Sequence, residues 1–121
     1  MGTLTGPDFV ALQVRDLDAA SRFYREVVGL TLAPASPPDA VVFATKPIAF
    51  AVRKPLVDLD AVARLGHGVA LWFHAEDALA LHERLQAAGV PIVRPIGESP
   101  FGKTFTFADP DGYLITVHDR A

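Results

Sequence analysis

The sequence predicts an α+β fold of two βαβββ modules, each a small sheet with a helix on one face, their other faces curling around a shared cleft. Three observations lead there. Short β-rich segments alternate apolar and small or polar residues, the period of a strand with one buried face. Two segments carry the 3.6-residue apolar period of a surface helix, and each ends at a glycine. The order repeats: the helix-ending glycines Gly29 and Gly89 are 60 residues apart, and the leading strands, starting at Phe9 and Gly68, are 59 apart. Two copies of a supersecondary unit are too few for a solenoid. At 121 residues the chain is expected to be a single domain, with module one over about 8–53, a connector over 54–66 and module two over about 67–119.

In chain order, "FVALQV" (9–14) is a strand. A helix follows, capped by Asp16 or Asp18, with Ala20, Phe23, Tyr24 and Val27 at i, i+3, i+4 and i+7, and ended by Gly29. Strands are expected at 30–33, 40–44 and 48–53, with the Pro-rich "APASPP" (33–38) breaking the first from the second. The connector "KPLVDLDAVARLG" (54–66) holds one or two helical turns. "GVALWF" (68–73) starts the second module, and Asp77 caps the helix "ALALHERLQAAG", whose Ala78, Leu81, Leu85 and Ala88 share a face. Strands are expected at 91–93, 103–108 and 113–118. Between the last two, "DPDG" (109–112) is a turn: Pro110 presets φ, the Asp109 carboxylate accepts from amides ahead of it, and Gly112 takes positive φ.

Composition narrows the partners. A formal net charge of −3 with no basic run argues against nucleic acid, whose phosphates need clustered positive charge. With no cysteine, disulfides and thiolate metal sites are excluded. No stretch approaches the ~20 apolar residues that span a bilayer. "MGTLTGPDFV" has neither a basic segment nor an apolar run of signal-peptide length, so a soluble, cytoplasmic protein without a membrane partner is expected.

Strand parity nominates the cleft residues. Val10, Leu12 and Val14 form the helix-facing side of the first strand, so Phe9, Ala11 and Gln13 face the cleft. Ala49, Ala51 and Arg53 share that side in the first module. In the second, Val69, Leu71 and Phe73 face the helix, while Gly68, Ala70, Trp72 and His74 face the cleft. Tyr113, Ile115 and Val117 pack inward, leaving Leu114, Thr116 and His118 outward. In "GESPFGKTF" (97–105), Gly97 and Gly102 permit movement. His67 has the wrong parity for the cleft, and His82 is expected on the exposed side of its helix.

"VRDLDAASRFYREVVGL" (14–30) and "FADPDGYLITVHD" (107–119), supported by the repeat and by "LHERLQAAGV" (81–90), resemble the vicinal oxygen chelate superfamily. That superfamily includes glyoxalase I, extradiol dioxygenases, fosfomycin-resistance enzymes and bleomycin-resistance proteins. The resemblance covers residues 9 to 119 and implies a homodimer. Residues 97–105 resemble a ligand-bordering loop of that family, which implies that Phe101 covers the cleft and Lys103 meets an anion; the alternative is an ordinary connecting loop with one buried aromatic. It also implies four metal-ligand positions, usually His, Glu or Gln, which fall here on Phe9, Ala51, Gly68 and Thr116. Three of these offer no side-chain donor and Thr116 only a neutral hydroxyl, whereas affinity for such metals rests on imidazole, carboxylate or thiolate.

The expectation is therefore a metal-independent binding protein of the bleomycin-resistance type. No catalytic residue, metal ligand or cofactor is assigned, and the ligand-binding set is Phe9, Gln13, Arg53, Trp72, His74, Phe101, Thr116 and His118. A large aromatic beside small residues offers a surface on which a planar ligand stacks. Bleomycin-type binders resemble acidic clefts suited to a cation. The polar residues here are neutral or basic, which favours a neutral or anionic aromatic compound. The competing readings are a metal-dependent lyase, isomerase or dioxygenase using His74 or His118 in a non-standard ligand set, acid–base catalysis by either histidine, and an interaction module whose Trp72 and Phe9 merely fill space.

Overall fold

A computed structural model describes residues 2–120. The element order is β1 (Phe9–Gln13), α1 (Leu17–Arg22) continuing as a π-helical segment (Phe23–Val28), β2 (Ala40–Phe43), β3 (Ala49–Arg53), a 3₁₀ turn (Leu59–Ala61), β4 (Leu71–His74), α2 (Ala78–Ala87), β5 (Ile92–Ser99), β6 (Gly102–Ala108) and β7 (Leu114–His118). The chain divides into two compact units with the boundary between Leu59 and Asp60. Among the described residues, no helix is long and apolar enough to cross a membrane.

In the first unit the strand order is β1-β3-β2, with β1 parallel and β2 antiparallel to β3. Asp16 caps α1, its Oδ1 accepting from the Ala19 amide at 3.0 Å. The segment ends at Gly29, whose φ of 93° needs no Cβ accommodation. From residue 23 the helix widens to π geometry, with the Gly29 amide reaching back to the Tyr24 carbonyl at 3.1 Å. Tyr24 is fully buried, its ring 5.1 Å from Phe50 and 6.0 Å from Phe43. Val14, Ala20 and Val52 complete this core. The extended piece expected at 30–33 forms only an isolated bridge, Leu32 to Phe43, because the prolines that follow cannot donate to a ladder.

The second unit has all the elements of a βαβββ module, with strand order β4-β7-β6-β5. Asp77 caps α2 through the Ala80 amide at 3.0 Å. Ala78 and Leu85 of α2 are buried, as are Phe105, Phe107, Ile115 and Val117 of the sheet. Each large apolar side chain so buried contributes about 1.5–3 kcal/mol. Of the expected helix face, Leu81 is half-buried and Ala88, at the fraying end, is exposed. His82 is not on the exposed side: it is half-buried, edge-on to Phe105 at 5.1 Å, with Nδ1 buried and without a hydrogen-bond partner. The 109–112 turn forms as expected, with Asp109 Oδ1 accepting from the amides of Asp111 and Tyr113 at 2.9 Å each.

Two strand boundaries differ from expectation. β4 begins at Leu71 rather than Gly68, because residues around Gly66 (φ 72°) form a turn in which the Val69 amide donates to the Gly66 carbonyl. Gly68 and Ala70 thus precede the strand, and Val69, expected under the helix, is 67% exposed. Instead of a short strand at 91–93 and a loop at 97–105, β5 runs to Ser99 and forms a hairpin with β6, pairing Glu98 with Lys103 and Ser99 with Gly102. Pro95 is tolerated because β5 is an edge strand, and register shifts between Ile92 and Gly97 absorb the irregularity.

Candidate functional site

Side-chain alternation gives each sheet a helix-covered face and an opposite face, termed the open face, on which Ala51 and Thr106 are nonetheless buried. Cross-strand partners share a face, so the register Trp72–Thr116–Thr106 and His74–His118–Thr104 places these six residues together on the open face of the second sheet. Phe105, Phe107, Ile115 and Val117 point the other way and are buried. In the first sheet the pairs Phe9–Ala49, Ala11–Ala51 and Gln13–Arg53 lie on the face opposite the Val10–Phe50 and Leu12–Val52 pairs, of which Phe50, Leu12 and Val52 are buried and Val10 is half-buried; Ala51 is buried too. The parity expected for Phe9, Gln13, Arg53, Trp72, His74, Thr116 and His118 is the parity found.

Five of the eight nominated residues come together on the second unit. Trp72 is 50% exposed, and its ring lies 5.4 Å from Phe101 at an interplanar angle of 71° and 5.9 Å from His118. His118 in turn stands 5.5 Å from His74. Phe101, Trp72, His118 and His74 thus form a continuous row of rings across the open face. The Phe101–Trp72 and His74–His118 contacts are edge-to-face, a favoured aromatic geometry, and half of Trp72 stays exposed. The other three nominated residues belong to the first unit. There Phe9 is 52% exposed, Gln13 Oε1 accepts from the Leu56 amide at 2.7 Å, and Arg53 Nε donates to the Lys54 carbonyl at 3.1 Å.

Phe101 reaches Trp72 because the β5–β6 hairpin tip is fastened. Ser99 Oγ accepts from the Phe101 amide at 3.0 Å and donates to the Gly102 carbonyl at 2.9 Å. Residues after β7 strap the same tip: the Lys103 amide donates to Asp119 Oδ1 at 2.9 Å, the Arg120 amide to the Phe101 carbonyl at 3.1 Å, and Arg120 Nη1 to the Pro100 carbonyl at 3.2 Å. Lys103, expected to meet an anion, is engaged with Glu98 Oε1 at 2.6 Å. The hydrogen bond and charge of Glu98 raise the Lys103 pKa above the ordinary lysine value.

Three polar members of the face have partners. Thr116 Oγ1 and Thr106 Oγ1 are 2.9 Å apart, and Thr106 is buried. His118 Nδ1 lies 3.0 Å from the Arg120 carbonyl oxygen. Sequence reasoning missed Thr106, Ser99, Asp119 and Arg120. The Thr104/Phe105/Thr106/Phe107 alternation signalled Thr106, and Ser99 two residues before Phe101 is a local turn signal; Asp119 and Arg120 act through long-range hydrogen bonds that leave no local pattern.

These residues do not fit a divalent metal. Thr116 is a neutral hydroxyl bonded to another hydroxyl, Phe9 and Ala51 carry no donor atom, and Gly68 lies in a turn outside the strand. His74 and His118 offer two imidazoles, but among the described residues no group of three or more His, Asp or Glu side chains is placed to hold an ion.

A family model described as the Glyoxalase/Bleomycin resistance protein/Dioxygenase superfamily matches residues 6–117. No curated protein matches the chain. Among solved structures, a glyoxalase-related enzyme from Fulvimarina pelagi is similar at 25% identity and a TM-score of 0.75, over 97% of this chain and 89% of that one. An antibiotic binding protein from Streptomyces sp. CB03234 is similar at 25% identity and a TM-score of 0.74, over 100% of both chains. A glyoxalase/bleomycin resistance protein from the same organism is similar at 26% identity and a TM-score of 0.71, over 94% of this chain and 100% of that one.

Proposed function

The chain belongs to the Glyoxalase/Bleomycin resistance protein/Dioxygenase superfamily, and from that premise we propose that it binds a small planar aromatic molecule, of the antibiotic type, without metal-dependent turnover. The observation that carries the reading is the row Phe101–Trp72–His118 on one sheet face, with Trp72 half exposed between the other two rings. A large aromatic left half in water forgoes burial worth about 1.5–3 kcal/mol unless something covers it, and a planar ligand does so with both area and stacking. The antibiotic-binding relative in Streptomyces sp. CB03234, alike over its full length, supports the ligand class. The misfit of the donor set to a divalent ion supports binding over Lewis-acid catalysis. A homodimer is part of the proposal and rests on the family resemblance; a cytoplasmic location is proposed as the default for a sequence with no signal-peptide-like or membrane-spanning stretch.

Trp72 is the only tryptophan, so fluorescence excited selectively at tryptophan reports this face. Titration with a panel of planar aromatic compounds is expected to quench it saturably for at least one member. Calorimetry on Trp72→Ala is then expected to show that binding lost at least tenfold. A panel that leaves the emission unchanged, or a Trp72→Ala protein that binds as well as the parent, contradicts the reading.

A further inference from the structure

Resting on that reading, we propose that the face selects planar aromatic ligands bearing a hydrogen-bond donor, an O–H or N–H on the ring edge, and that His118 Nε2 is the acceptor that recognises it. The first support is the tautomer. His118 Nδ1 is 3.0 Å from the Arg120 carbonyl oxygen, which has no proton to give, so the hydrogen in that bond belongs to Nδ1. A neutral imidazole carries one N–H, which leaves a lone pair on Nε2.

The second support is that the tautomer is held by main chain. The Arg120 amide is bonded to the Phe101 carbonyl at 3.1 Å, so the group that orients His118 is fastened to the hairpin tip carrying the ring packed on Trp72. Acceptor and stacking surface are therefore set by one strap. The third is position. The His118 ring is half-buried beside the stacking surface, 5.9 Å from Trp72 and 5.5 Å from His74, near enough for the edge of a ring stacked on Trp72 to meet it. An ether or carbonyl arriving there sets lone pair against lone pair, and the mismatch discriminates more than a lost contact does.

The test is a matched pair of probes, 2-naphthol and 2-methoxynaphthalene, titrated calorimetrically into the wild-type protein and into His118→Phe, which keeps a ring and removes the acceptor. In the wild type, 2-naphthol is expected to bind about five- to tenfold tighter, the size of one net hydrogen bond. In His118→Phe the preference disappears through weaker 2-naphthol binding alone. Equal binding of both probes to the wild type overturns the acceptor role and leaves the stacking reading standing. Equal weakening of both in the variant also overturns it, making His118 a packing ring. Failure of both probes to bind the wild type overturns the stacking reading and this proposal with it. Nitrogen NMR of the imidazole decides independently of the variant's folding: a hydrogen found on Nε2 in place of Nδ1 refutes the proposal.

Discussion

The Thr116 hydroxyl, at a position expected from the family resemblance to carry a metal ligand, is bonded to the Thr106 hydroxyl. The pair makes a distinctive thermodynamic prediction. Thr116→Val leaves the buried Thr106 hydroxyl without its partner, an expected cost of about 1–3 kcal/mol. The double substitution Thr106→Val/Thr116→Val removes both hydroxyls and is expected to recover most of that loss. Denaturant titration of the single and double variants checks this; strictly additive losses would show that the hydroxyls act separately. Trp72 and Phe105 make a second contrast. Phe105 is fully buried, and Phe105→Ala is expected to destabilise by about 3–5 kcal/mol. Trp72 is half exposed, and Trp72→Ala is expected to cost under ~2 kcal/mol in the same titration while removing ligand binding. Equal stability losses would make Trp72 a core residue and nothing more.

The β5–β6 hairpin is the element on which the site depends. Gly102 turns its tip at φ 85°, and a Cβ there would run into the Asp119 carboxylate and the Arg120 backbone. Gly102→Ala is therefore expected to cost about 1–3 kcal/mol. It should also loosen the strap, seen as faster hydrogen exchange at the Lys103 amide and weaker aromatic binding. Unchanged exchange with unchanged binding would uncouple the tip from the site. The Glu98–Lys103 pair on the same hairpin has a raised lysine pKa, so its contribution is present at neutral pH and is lost only as alkaline pH passes that value. Being solvent-exposed, it contributes little.

Legibility differed by element for physical reasons. The caps at Asp16 and Asp77 and the Asp109 turn are local interactions spanning two to four residues, and each was readable from residue type alone. β5 was not, because Pro95 and Gly97 erase the strand period. Their tolerance follows from edge position, which is a property of the sheet. The start of β4 was misplaced for the converse reason: Val69, Ala70 and Leu71 have strand character, and the Gly66 turn overrides it.

At the scale of the molecule, the chain forms two units, each of which packs one sheet face under a helix. Face assignment was legible because alternation is intrinsic to a strand. Which open-face groups pair with each other was not, because register between distant strands and the His118–Arg120 bond exist only once the sheet has formed. The proposed homodimer predicts twice the chain mass by light scattering at micromolar concentration; the mass of a single chain would exclude it. The ligand row lies wholly within the second unit, so aromatic binding is expected to be measurable whichever mass is found.

Chemical-shift mapping with a bound planar aromatic probe tests the central claim most directly. Shifts are predicted at the Trp72 indole, at the amides of Phe101, Gly102 and Lys103, and at the His118 ring. Shifts confined to α2 and the helix-covered side of the second sheet, or none at saturating probe, would contradict it.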